Sequence, residues 1–152
     1  SARNDPRGAT ALGIVDNAAT GYSEFAGFNG LNGNETLIAY TYLGDADLNG
    51  AVTLDDFNRF LSGFTGGKAA FWLNGDFDYD AVVNLEDFYS FLHGFRHQPS
   101  PDVTPELLAA LSDFARAQHI EIDLTTLPEP GMVGVVLLSA CALARRPRLR
   151  RS

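Results

Sequence analysis

An internal repeat with a period of 31 residues constrains this chain more than any other feature. Sliding the sequence on itself by that interval sets Asp45 on Asp76, Asp47 on Asp78 and Asp56 on Asp87. The segment LDDFNRFLSGF (residues 54–64) then falls on LEDFYSFLHGF (85–95), with seven of eleven positions identical. In each copy the apolar residues stand at i, i+3, i+4 and i+7: Phe57, Phe60, Leu61 and Phe64 in the first, Phe88, Phe91, Leu92 and Phe95 in the second. That spacing places one aromatic stripe along a short helix. Neither helix buries its stripe alone, so the pattern predicts that the two pack against each other.

Core formation accounts for the phenylalanines but not for the aspartates. The first copy opens with a 12-residue loop from Asp45 to Asp56. Oxygen side chains stand at loop positions 1, 3, 5, 9 and 12 (Asp45, Asp47, Asn49, Thr53 and Asp56), with Gly50 at position 6. Calcium takes six to eight oxygen ligands in a flexible shell, and this spacing supplies them. Ala51 contributes its carbonyl in this reading, and Thr53 acts directly or through water. The second loop sets Asp76, Asp78, Asp80, Asn84 and Asp87 at the same positions, with the carbonyl of Val82. It has four carboxylates where the first has three, but Ala81 replaces the turn glycine. A left-handed alanine costs roughly 1–2 kcal/mol. Two Ca²⁺ ions are therefore expected, one per loop. Their binding is expected to be coupled to folding, because the carboxylates of each loop repel one another without a cation.

The remaining segments divide the chain into four parts: 1–42, 43–96, 97–126 and 127–152. Residues 9–42 are rich in Gly, Asn, Thr and aromatics, and ETLIAYTY (35–42) mixes β-branched and aromatic residues over a strand-like length. This part reads as short strands and turns, the end of a β-rich region upstream. After the repeat, Thr104 is a plausible helix cap with Pro105 at the first helical position. Leu107, Leu108, Leu111 and Phe114 then predict an amphipathic helix running to about Gln118. A short alternating stretch, 120–124, leads into the tail.

Charge is distributed as unevenly as sequence. The net charge is -8, yet five of the 11 basic residues are Arg145, Arg146, Arg148, Arg150 and Arg151. Nine acids lie between Asp45 and Asp87, where Arg59 and Lys68 are the only bases. The acidic balance excludes a nucleic-acid partner, which needs a basic face. A single cysteine, Cys141, leaves no intrachain disulfide and no thiolate metal cluster. No Ser/His/Asp, Cys/His or phosphate-loop motif appears. His93 and His97 stand at i, i+4, a spacing read here as a basic helix end rather than a metal pair. No catalytic residue is expected, and any catalytic domain would lie upstream.

The residues ahead of Asp45 (IAYTYLG) look like a strand, so each unit is a loop followed by a single helix. Two such half-motifs in tandem resemble the dockerin module of bacterial surface and polysaccharide-degrading proteins, over roughly residues 40–95. The resemblance implies two calcium ions, antiparallel helices, a non-catalytic role and a cohesin-type protein partner. Positions 10 and 11 of the loops hold Leu54–Asp55 and Leu85–Glu86, where well-known dockerins carry a small hydroxyl pair. Cohesin docking and simple stabilisation of a larger passenger, such as a polysaccharide-degrading enzyme or an adhesin, therefore both stay open. A calcium sensor is a further alternative, disfavoured by the absent leading helices and the single methionine.

Pro128, Glu129 and Pro130 precede a 14-residue apolar run and then the arginine cluster. This order resembles the PEP-CTERM sorting signal of Gram-negative bacteria, which implies an exosortase-type membrane protease, transient membrane insertion and an exported, membrane-anchored or cell-surface protein. As a helix the run would span about 21 Å, short of a hydrocarbon core of about 30 Å. The fold expected overall is mainly α. It is a small dockerin-like pair of calcium loop–helix units, preceded by short β-strands and followed by one amphipathic helix and a short apolar C-terminal helix.

Overall fold

The structure, a computed structural model, describes residues 5–124. Two seven-residue strands, β1 (Thr10–Asp16) and β4 (Thr36–Tyr42), form an antiparallel ribbon in unbroken register. Thr10 lies opposite Tyr42 at one end and Asp16 opposite Thr36 at the other. Between them lie a one-turn helix, α1 (Asn17–Thr20), and a small hairpin of β2 (Glu24–Phe25) and β3 (Phe28–Asn29). Glu35 ties this excursion down by accepting hydrogen bonds from Asn17 Nδ2 at 2.8 Å and from the backbone N–H groups of Asn32 and Gly33, both at 3.0 Å.

The chain then runs through the first aspartate loop into α2 (Leu54–Phe64). A single 3-10 turn at Trp72–Asn74 precedes the second loop and α3 (Leu85–His97), and α4 (Pro105–Ala117) follows. The two helices of the repeat and the capped amphipathic helix thus form where the sequence placed them. Thr104 caps α4 by accepting from the Leu107 N–H at 3.1 Å, and Pro105 occupies the first turn.

The expectation of a mainly α fold is overturned. Among the described residues 37% are helical and 15% are in strands, so this is a small mixed α/β domain with two small antiparallel sheets. The cause lies in β1, where Gly13 interrupts the strand pattern of TALGIVD. A Cβ at Gly13 would run into the Leu48 side chain and stand 2.8 Å from the indole of Trp72. A residue that weakens strand propensity is thus required by packing that only the fold reveals. The ribbon's inner face buries Val15 and Leu37 in the same hydrophobic cluster as the helices. The short apolar C-terminal helix and Pro128, Glu129 and Pro130 lie outside the described residues.

The aromatic stripes of α2 and α3 meet, with Phe57 and Phe91 ring centres 5.4 Å apart and Phe60 and Phe88 6.0 Å apart. Phe114 of α4 completes the cluster, 4.6 Å from Phe88 and 5.0 Å from Phe64. The repeat also packs crosswise. A Cβ at Gly63 on α2 would collide with the carbonyl oxygen of Asn74, two residues ahead of the second loop. A Cβ at Gly94 on α3 would collide with that of Leu43, two residues ahead of the first. Each helix therefore supports the loop belonging to the other copy.

Candidate metal centre

The two loops share one hydrogen-bond plan. The first carboxylate reaches the backbone N–H of position 6: Asp45 Oδ2 to Gly50 at 2.9 Å, and Asp76 Oδ2 to Ala81 at 3.2 Å. The third position turns back on the fifth, Asp47 Oδ1 accepting from Asn49 at 3.1 Å and Asp78 Oδ1 from Asp80 at 3.0 Å. The fifth does the same to the seventh, Asn49 Oδ1 to Ala51 at 2.9 Å and Asp80 Oδ1 to Val82 at 2.8 Å.

The twelfth carboxylate, in the first turn of the helix, closes each loop. Asp56 Oδ1 accepts from the N–H of Ala46 at 2.9 Å and Oδ2 from Thr53 at 2.8 Å. Asp87 accepts correspondingly from Phe77 at 2.7 Å and Asn84 at 2.9 Å. These bonds curl the backbone until side-chain oxygens converge. In the first loop Asp45, Asp47 and Asp56 each bring a carboxylate oxygen within 4.8 Å of the others. In the second, Asp76, Asp78 and Asp80 do so, and Asp87 stands outside that group. The two clusters are compatible with a bound metal ion such as Ca²⁺.

Position 9 serves the helix in both loops. The Thr53 hydroxyl donates to Asp56 Oδ2 at 2.8 Å, and Asn84 Oδ1 caps α3 by accepting from the Glu86 N–H at 2.6 Å. At position 7, Ala51 and Val82 donate their N–H groups to the fifth side chain as described above. His93 and His97 join neither cluster: their ring nitrogens bond the carbonyls of Arg7 and His93 at 2.8 and 2.7 Å.

Burial makes these carboxylates costly to ionise. Asp56 is fully buried, and desolvation, aided by the charge of Asp47, pushes its carboxyl up to about 7. Desolvation also raises Asp45, Asp76 and Asp87 above the ordinary carboxylate range, against the hydrogen bonds that lower them. Asp76 is 3% exposed, and its Oδ1 has no hydrogen-bond partner. A buried carboxylate oxygen with no donor is energetically incomplete, and a cation completes it. The residues therefore fit a hard, oxygen-preferring metal.

Three supporting residues had no signal in the sequence. Trp72 is fully buried and donates its indole N–H to the Asp45 carbonyl at 2.7 Å. Gln98, just beyond α3, holds both backbone groups of Val52, accepting from its N–H at 2.9 Å and donating to its carbonyl at 2.8 Å. Thr41 on β4 donates its hydroxyl to Asp45 Oδ2. These contacts join residues 27, 46 and 4 positions apart, and only the last is local. Gly63 and Gly94 did carry a signal, since they recur at the 31-residue interval within the repeat.

No protein-family model, curated protein or solved structure matches the chain. No helix among the described residues is long and apolar enough to cross a membrane.

Proposed function

We propose that this chain is a calcium-binding module that holds two Ca²⁺ ions, one in each aspartate loop. The observation that carries this reading is the convergence of three carboxylate oxygens within 4.8 Å in each of two loops built on one hydrogen-bond plan. The partnerless Oδ1 of Asp76 adds to it. All the side-chain donors are oxygens, and the irregular shell of six to eight oxygens that calcium accepts suits a 12-residue loop better than the rigid octahedron magnesium requires. In the first loop the ligands are Asp45, Asp47, Asn49, the carbonyl of Ala51, Thr53 and Asp56; in the second they are Asp76, Asp78, Asp80, the carbonyl of Val82, Asn84 and Asp87.

The module is non-catalytic and dockerin-like in this reading, and it stabilises or docks a larger exported passenger. The sequence of the tail supports the destination: Pro128, Glu129 and Pro130, then an apolar run and arginines, as in a sorting signal read at the membrane. Calorimetric titration of the chelator-treated full chain with calcium tests the central claim. Two ions per chain are expected, and no heat of binding at millimolar calcium overturns it.

A further inference from the structure

We infer that cation loading of the loops is thermodynamically linked to the order of the β1–β4 ribbon, an inference that rests on the calcium reading above. A ribbon of two strands is marginal in water by itself, and here each strand is held by a different loop. β4 is held by the first: Thr41 donates its hydroxyl to Asp45 Oδ2. β1 is held by the second: the hydroxyl of Tyr79, at the fourth position of that loop, donates to the Leu12 carbonyl at 2.7 Å. Trp72 joins the two attachments. Its indole N–H bonds the Asp45 carbonyl at 2.7 Å, its ring stacks on Tyr79 at 5.6 Å, and it lies against Gly13 in the middle of β1.

Calcium acts on this arrangement through charge. Without a cation the carboxylates of each loop repel across the short distances that separate them, and the loops that carry the ribbon's attachments loosen. A bound ion removes that repulsion and fixes Asp45 and the Tyr79 turn. Linkage is reciprocal, so the factor by which calcium favours the ordered ribbon is the factor by which the ordered ribbon favours calcium. The ribbon's outer face is what this controls. Leu12 faces Tyr40 and Ile14 faces Ile38 across the strands, and all four are at least 40% exposed. Calcium concentration thereby sets how far this apolar face exists as a rigid surface.

Hydrogen exchange of the full chain, in calcium and in chelator, tests the linkage by comparing amides of β1 and β4 with those of α4. Calcium is expected to slow ribbon exchange at least about tenfold more than α4 exchange. Thr41→Val and Tyr79→Phe should each shrink that excess and weaken calcium binding by the same factor. Uniform slowing of ribbon and α4 overturns the linkage. So does a variant that loses ribbon protection equally with and without calcium at unchanged affinity, since that marks a merely structural role. Absence of calorimetric calcium binding overturns the calcium reading itself, whereas binding with uniform slowing overturns only the linkage.

Discussion

The first loop is enclosed and the second is open, although the bonds made by the carboxylates and amide at positions 1, 3, 5 and 12 follow one plan in both. Thr41, Trp72 and Gln98 surround the first loop, and Arg59 stands 3.9 Å from Asp47. In the second, Asp78, Asp80 and Val82 are exposed to solvent. Backbone conformation differs in the opposite sense. Both loops turn left-handed at position 4, with φ of 65° at Leu48 and 64° at Tyr79, but position 6 is Gly50 in one and Ala81, at φ 69°, in the other. Duplication copied the wiring and not the surroundings. The unfavourable part of forming a cation shell is therefore desolvation in the first loop and backbone strain in the second.

The largest expected effects separate the loops outright. Asp45→Asn and Asp76→Asn each remove the opening carboxylate and should weaken binding in their own loop about 100-fold, the upper end of what neighbouring-shell changes cause. Calorimetric stoichiometry then falls from two ions to one in either variant. Loss of both ions from a single substitution would break the comparison, because the loops would not be separable sites.

Protons should distinguish the enclosed loop next. Asp56 binds its proton more tightly folded, at about 7, than an ordinary aspartate does unfolded. Its contribution to the calcium-free fold is complete below the unfolded value near 3.8 and is lost as pH rises towards 7. Calcium-free stability should therefore fall by on the order of 2 kcal/mol between pH 5 and 7. Saturating calcium should flatten the slope, since the ion displaces that proton and Asp56 is then ionised in both folded and unfolded chains across this window. Urea denaturation at several pH values, with and without calcium, measures both slopes; a rising calcium-free slope across this window contradicts the enclosure argument.

Local pattern and long-range contact explain what the sequence disclosed. The Phe57 and Phe88 stripes, the Thr104 cap and the loop positions are properties of residues a few places apart, and all are written in the chain. The strand content was underread because Gly13 hides β1, and Gly13 is explained only by Trp72 and Leu48, far along the chain. Position 9 was read as a metal contact, and the further task of Asn84, accepting from the Glu86 N–H at the start of α3, went unread. The enclosure of the first loop was invisible for the same reason, since Gln98 and Trp72 are single residues without periodicity.

Removing part of the enclosure should have a middling effect. Gln98→Ala leaves the buried N–H and carbonyl of Val52 without their partners. A stability loss of about 1.5 kcal/mol is expected, read as a lowered denaturation midpoint at unchanged slope. No corresponding side chain supports Val83 among the hydrogen bonds of the second loop, so the loss should appear as weaker binding in the first loop alone.

The smallest effect is also the cleanest test of strain, because it exchanges one atom group between matching positions. Ala81→Gly relieves a left-handed alanine and should strengthen the second loop by about 1 kcal/mol, whereas Gly50→Ala should weaken the first by a similar amount. A Cβ at Gly50 meets nothing within 4 Å, so the penalty there is conformational and not a collision. Glycine also loosens the unfolded chain, which opposes the gain at position 81 and adds nothing to binding. Calcium affinity, measured site by site in each single variant and in the double exchange, therefore reports the strain more directly than melting temperature. If both single variants leave affinity within experimental error of the parent, the cost of the second loop lies in its four carboxylates rather than in its backbone.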